Sequence, residues 1–276
     1  MIQEDWGIFP VMWNLLPKEP TLDAESWLVL DNIFRSADKL NSQLEDELHI
    51  YMDIWDNRLK DLGGDPSTHD WNKFRPLRLS REEDWSDWLA HLISDSKSGS
   101  LAFHLFYFEK LSPRDYINPP KVEREPTVED CRSDILIQWA NGKYTNIEIK
   151  TGDPGLEKTF YTSKKMRKKH DASSDDWTDV IILMKNQLSD WEKIKEKYSE
   201  TVYPRTWEEI ALALRRSLLC SEEPLAWKAW AYAFLGAVEQ TILGYPRRNE
   251  SGMLFQSLSD LKSRIDILKE AFTDGE

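Results

Sequence analysis

The sequence predicts an α/β protein, a core of short strands and helices held between two helical regions. Three observations carry this. Apolar residues recur at steps of three and four from Ile33 to Leu62 and again from Trp207 to Phe272, the period of a helix face. Between those regions the runs Asp134–Trp139, Tyr144–Lys150 and Asp179–Met184 are short, apolar and rich in Ile, Leu and Val, as strands are. A basic segment of helical character separates the second run from the third. The order helix, hairpin, helix, strand defines an α/β core. The chain then divides into a helical N-terminal region (1–75), a core (76–200) and a C-terminal helical region (201–276).

The first helix is expected after Pro20, with Asp23 as N-cap and Glu25 in the first turn, where a negative charge suits the helix dipole. Its stripe is Ile33, Ala37, Leu40, Leu44, Leu48, Tyr51, Trp55, Leu59 and Leu62, which reads as a scaffold helix packed on the next domain. Gly63-Gly64 ends it and Asp65-Pro66 makes a turn. In the core, Ser80-Arg-Glu-Glu opens an amphipathic helix that buries Trp85, Trp88, Leu89 and Leu92. A second apolar helix covers Leu101 to Leu111, and Pro113, Pro119 and Pro120 end it. Val122 to Val128 reads as an irregular strand. Asn141-Gly142 is the hairpin turn between the two clear strands, since both residues tolerate positive φ. Gly155 to Lys169 is the basic helix.

In the C-terminal region Trp207, Ile210, Ala211, Leu214 and Leu218 form one amphipathic face. A more apolar helix runs from Pro224 to Gly244. Leu254, Leu258, Leu261, Ile265, Leu268 and Phe272 make a heptad-like seam, to be packed internally or against a second subunit.

The chain of 276 residues carries 13 Trp and 40% apolar residues, which excludes a disordered polymer. The formal charge of −13 argues against a generic nucleic-acid coat. It is unevenly spread, with about +5 gathered in the 27 residues from Lys143 to Lys169 and about −18 elsewhere. Two cysteines, Cys131 and Cys220, suit a reducing compartment. No signal peptide or membrane span is read, so the expectation is a soluble cytoplasmic protein. The five histidines show no paired ligand spacing, and no Gly-rich phosphate loop precedes a helix.

The chemistry gathers on the hairpin. Side chains alternate along a strand, so Tyr144, Asn146, Glu148 and Lys150 share a face. By itself a Glu-x-Lys pair in a strand is ordinarily a solvated cross-strand pair. Here Asp134 begins the adjoining strand, Glu82 and Glu83 lie on the preceding helix, and a Lys/Arg-rich segment follows. Carboxylates on adjacent strands can hold a hard divalent cation, and an ammonium beside them can orient an attacking water. The Ile149 carbonyl adds a neutral oxygen.

Ser133-Asp134, thirteen residues, then Glu148-Ile149-Lys150 resembles the PD-(D/E)xK nuclease superfamily, whose fold is restriction-endonuclease-like, a mixed central sheet flanked by helices. The resemblance covers roughly Arg81 to Met184 and departs from the pattern in having Ser133 where the motif name has proline. It implies that Asp134 and Glu148 bind Mg²⁺ (Mn²⁺ as substitute), that Lys150 serves the nucleophilic water, and that an acidic residue of the first core helix joins them. Glu82 is that residue because it borders the buried stripe, with Glu83 as fallback. Lys158, Lys164, Lys165, Arg167 and Lys168 are the expected nucleic-acid contacts, and Thr162 is a further addition to the site. The implied activity is metal-dependent hydrolysis of DNA, with RNA as an open alternative. By analogy it belongs to restriction or antiviral defence, with dimerisation if both strands are cut. The rival reading is a non-cleaving module that keeps the fold and binds protein or nucleic acid.

Overall fold

The computed structural model describes residues 24–69, 71, 81–106, 116, 120–152, 155–197, 202–220, 222–247 and 258–273. Backbone contacts divide the chain into two compact units, Met1–Asp46 and Glu47–Glu276. The protein is α/β, with a mixed five-stranded sheet flanked by helices, and the sheet lies in the second unit.

Helix α1 (Ala24–Arg58) is followed by a single 3₁₀ turn, and Gly63 caps it at φ 104°, a left-handed conformation that glycine adopts at least cost. The expected Asp23 cap lies outside the described residues. The apolar stripe is not buried along its whole length. Ile33, Ala37 and Leu40 are exposed, whereas Leu48, Trp55 and Leu59 are buried. Within the second unit the helix meets the last helix of the chain. There Glu47 pairs with Lys269 and the Trp55 indole N–H donates to the Leu268 carbonyl at 3.1 Å.

Helix α2 (Glu82–Asp95) buries Trp85, Leu89, Leu92 and Ile93, spaced to share one face. Trp88 is only half-buried and rests against Trp230 at 5.2 Å between ring centroids. Ser80 lies outside the described residues, as do residues 107–111 of the expected second helix, of which α3 (Ser100–Phe106) is seen.

The strands are β1 (Lys121–Arg124), β2 (Thr127–Val128), β3 (Cys131–Arg132), β4 (Ile135–Gln138), β5 (Tyr144–Ile149), β6 (Trp177–Leu183) and β7 (Val202–Thr206). Helices α4 (Lys158–Lys169) and α5 (Leu188–Lys195) join the last three. The main sheet has the order β1-β4-β5-β6-β7. Strands β1, β4 and β5 are antiparallel neighbours, and β5, β6 and β7 are parallel ones. The irregular strand expected at Val122 to Val128 is two elements. Glu125 takes φ 49° after β1, and β2 folds onto β3 in a small sheet of its own. The hairpin turn falls as the sequence predicts, with Gly142 at φ 84° and its N–H donated to the Trp139 carbonyl at 2.9 Å.

Strand β7 lies in a segment the sequence reading gave to helices. Its sequence, Val-Tyr-Pro-Arg-Thr, carries Pro204, which lacks an N–H and fits the edge position β7 occupies. One face of the sheet is covered by α4 and α5, through Phe160, Met166 and Trp191, with Leu156 from the turn before α4. The rest of the core is helical: α6 (Trp207–Leu219) packs on α3, on α7 (Leu225–Ala237) and on α8 (Leu258–Thr273). The described part of the heptad-like seam is internal, with Leu261, Ile265 and Leu268 buried within the chain itself; Leu254 and the side chains of Leu258 and Phe272 lie outside the described residues. Among the described residues no helix is long and apolar enough to cross a membrane.

Candidate active site

Strand β5 is central, and every residue from Thr145 to Ile149 is buried. Thr145, Ile147 and Ile149 point to one side of the sheet, while Asn146, Glu148 and, just past the strand, Lys150 take the other. Glu148 is 9% and Lys150 6% exposed, so a carboxylate and an ammonium are held in the interior side by side, where each needs the other. The Lys150 Nζ lies 2.9 Å from Glu148 Oε1 and 4.0 Å from Glu82 Oε2.

The antiparallel register pairs Ile135 with Ile147, which brings Asp134 opposite Glu148. Asp134 is fixed by accepting the Ile149 N–H on Oδ2 at 2.7 Å. Glu82, in the first turn of α2, reaches across to accept the Thr151 N–H on Oε1 at 2.9 Å. Lys150 donates its own N–H to the Ile182 carbonyl at 2.8 Å, and its carbonyl accepts the Trp207 indole N–H at 3.0 Å. The end of β5 is thus tied on successive residues to β4, β6, α2 and α6, which leaves little freedom in where the three carboxylates and the lysine stand.

Four residues predicted from sequence come together here: Glu82, Asp134, Glu148 and Lys150. Ile149 lies between the last two, with its side chain buried on the far side of the strand. Glu83 points elsewhere, its carboxylate 3.4 Å from Arg132. When all are ionised the cluster carries three negative charges against one positive, and the titration reflects it. Burial raises Glu148 to about 7, helped by the Asp134 and Glu82 charges and opposed by Lys150. Burial likewise raises Asp134, against the Ile149 N–H and the nearby Lys150, Arg124 and Arg132 charges. Lys150 is held above its ordinary range: burial works against its charge, but Glu148, Glu82 and Asp134 outweigh it.

Such a donor set suits a hard divalent cation. It is all oxygen, it carries excess negative charge, and its raised carboxylates would be relieved by a cation. Among the described residues no three His, Cys, Asp or Glu side chains form a metal cage by themselves. Mg²⁺ does not require one, because it is ordinarily held by one or two carboxylates with water and phosphate oxygens completing the shell.

The basic residues of α4 divide. Lys158, Lys164 and Lys168 are exposed. Lys165 is engaged within the chain, 2.7 Å from Glu129 and 2.5 Å from Asp130, and lies over the Tyr161 ring. Arg167 is half-buried and its charge acts on Asp179. Thr162 is buried on the same helix, beside Cys131.

Two supporting groups rest on contacts that the sequence does not show. Arg124 on β1 donates to Asp87 at 2.5 Å, to the Glu83 carbonyl at 3.3 Å and to the Asp134 carbonyl, so it clamps the start of α2 to the start of β4. Behind Asp134, the buried Ser133 hydroxyl donates to Asn146 Oδ1 at 2.5 Å. Asn146 donates to Asp179 at 2.9 Å, and Asp179 also accepts the Trp177 indole N–H at 2.8 Å. Asn146 shares the face of Glu148, so alternation alone placed it here; the roles of Arg124 and Asp179 depend on pairings across strands. Compared with family models, with curated proteins and with solved structures, the chain matches none.

Proposed function

We propose that the protein is a Mg²⁺-dependent nuclease of the PD-(D/E)xK type that hydrolyses phosphodiester bonds of DNA. The observation that carries this reading is the convergence of Asp134, Glu148, Lys150 and Glu82 at the end of one buried strand. Asp134 and Glu148 are the residues to hold the metal, with the Ile149 carbonyl as a neutral oxygen and Glu82 beside them. When bound, Mg²⁺ polarises a phosphate oxygen and lowers the pKa of a bound water.

The protein's own part is positioning and charge. Lys150 donates from its ammonium to the attacking water and stabilises the hydroxide that forms. Its pairing with Glu148 fixes where that ammonium points. The water gives up a proton to solvent as its oxygen forms the new bond to phosphorus; the bond to the 3′ oxygen breaks, and that oxygen takes a proton from a solvent water, which leaves a 5′-phosphate and a 3′-hydroxyl. The exposed Lys158, Lys164 and Lys168 on α4 supply backbone contacts, so the acidic body engages nucleic acid through one basic face.

The test is incubation of purified protein with plasmid and linear DNA, in Mg²⁺, Mn²⁺ or EDTA, beside Asp134→Ala and Lys150→Ala. Cleavage by the wild type that EDTA and both variants abolish is the expected result. Undiminished cleavage in both variants overturns the assignment, and cleavage of RNA alone replaces DNA as the substrate.

A further inference from the structure

We infer that a cleft next to Lys150 is a subsite for the base of a nucleotide flanking the scissile phosphate; this rests on the nuclease reading of the neighbouring residues. The cleft has a volume of about 570 Å³, within the roughly 300–1,000 Å³ of small-molecule sites. One wall begins at Gly152, two residues past Lys150, hence within about 7 Å of it along the chain. The opposite wall begins at Asn186, in the 3₁₀ turn Lys185–Gln187 that follows β6. Strands β5 and β6 are parallel neighbours, with Ile149 in register with Ile182. Both walls therefore rise from the carboxyl ends of the two strands, the end at which Glu148 and Lys150 stand, and the usual place for a ligand on a parallel sheet.

The lining says what kind of group fits. Its cations are already matched: Lys193 lies 2.9 Å from Asp190 and Lys197 lies 3.6 Å from Glu157. With those charges cancelled, the cleft has no excess of either sign to attract a phosphate or a metal ion. Leu156 and Ile194 give it an apolar surface. Gln187 spends its carbonyl oxygen on the Met184 N–H at 3.0 Å, whereas Asn186 is exposed on the rim. An amide at the edge of an apolar surface offers one donor and one acceptor beside a place for a flat ring, the pairing by which Asn reads adenine. At Gly152 an added Cβ would meet nothing within 4 Å among the described residues. A neutral heteroaromatic ring joined to a phosphate at the metal-binding residues satisfies all of these features.

The test uses the four deoxynucleoside 5′-monophosphates and, as a probe without a base, 2-deoxyribose 5-phosphate. Each is titrated calorimetrically into the full chain in Mg²⁺; a monophosphate has no phosphodiester bond, so binding is read without cleavage. Ile194→Trp fills the cleft, and Asn186→Ala, at an exposed position, removes the amide and leaves the packing alone. At least one nucleotide is expected to bind tenfold or more tightly than the sugar phosphate. Ile194→Trp should erase that preference, and Asn186→Ala should reduce it severalfold and unequally among the four bases. Base-independent binding, no binding at millimolar nucleotide, or a preference unchanged by both substitutions overturns the subsite. Lys150→Ala separates the two readings. It should abolish cleavage yet keep the base preference, so a preference found in a protein that never cleaves DNA sinks the nuclease and leaves the subsite standing.

Discussion

Glu148 and Lys150 form an ion pair at 2.9 Å inside the sheet, yet the carboxylate still titrates at about 7. One ammonium does not offset burial together with two neighbouring carboxylates. The consequence for stability has a definite sign. Unfolded, the group titrates near its ordinary 4.5. Between that pH and about 7 the folded protein keeps a proton that the unfolded chain has lost. The contribution of Glu148 to stability therefore falls as pH rises through this window, and its cost is complete above it. Glu148→Gln, which mimics the protonated form, should be more stable than wild type at pH 8 in EDTA by on the order of 1–3 kcal/mol. The gain should shrink toward pH 5. Urea unfolding across that range measures it, and a variant less stable at pH 8 than at pH 5 relative to wild type contradicts it.

On the proposed nuclease reading, the same carboxylate would make metal binding a proton-release event. Near pH 6.5 a large fraction of Glu148 is protonated, and a cation must displace that proton to use the oxygen. Titrating Mg²⁺ into weakly buffered protein at this pH should release protons and should release almost none at pH 8.5. Cleavage at low Mg²⁺ should accordingly rise through about pH 7, with the midpoint moving down as Mg²⁺ is raised. A midpoint indifferent to Mg²⁺ concentration counts against Glu148 as a ligand.

The site was legible in sequence to the extent that strand alternation and hairpin register define it. Glu148 and Lys150 share a face because they are two apart, and Asp134 falls opposite Glu148 because Asn141-Gly142 sets the turn. What sequence could not show are contacts that depend on three-dimensional neighbours. Arg124 joins α2 to β4 across 37 residues from Asp87, and nothing local marks it. Strand β7 was missed because Pro204 is a poor strand residue anywhere but an edge, and its edge position follows only from the sheet order. The stripe on α1 misleads for the converse reason: periodicity shows which residues share a face and not which of them are buried, and along this one Leu48, Trp55 and Leu59 are buried while Ile33, Ala37 and Leu40 are exposed.

Glu82 and Glu83 are adjacent in sequence and make a sharp comparison. Glu82 caps the Thr151 N–H and sits 4.0 Å from the Lys150 ammonium. Glu83 makes a half-exposed pair with Arg132 at 3.4 Å, an interaction ordinarily worth about 0–1 kcal/mol. Glu82→Ala should lower kcat about tenfold or more, as loss of an oriented charged group does. Glu83→Ala should leave cleavage within about threefold and Tm nearly unchanged. Parallel rate measurements on the two variants decide between them, and equal losses would falsify the assignment of Glu82.

A second buried charge cluster, away from β5, bears on stability. Arg215 is 0% exposed and grips Glu239 through two nitrogens at 2.8 and 2.9 Å, while a third donates to Asp65 at 3.0 Å. Arg264 approaches Glu239 at 3.4 Å. Burial alone would raise Asp65, but the Arg215 and Arg264 guanidiniums hold it below the usual carboxylate range. Its contribution is therefore present above the ordinary 3.8 and lost as pH falls further. Removing one partner strands the others without water. Arg215→Ala should thus cost about 3–5 kcal/mol, a large share of the about 5–15 kcal/mol by which a domain is ordinarily stable. Arg215→Lys should recover only part of the loss, because a single ammonium cannot reproduce the planar fork that meets Glu239 and Asp65 together. Urea midpoints for the three proteins supply the measurement. A loss below about 1 kcal/mol in Arg215→Ala would mean that the cluster is hydrated and carries none of this weight.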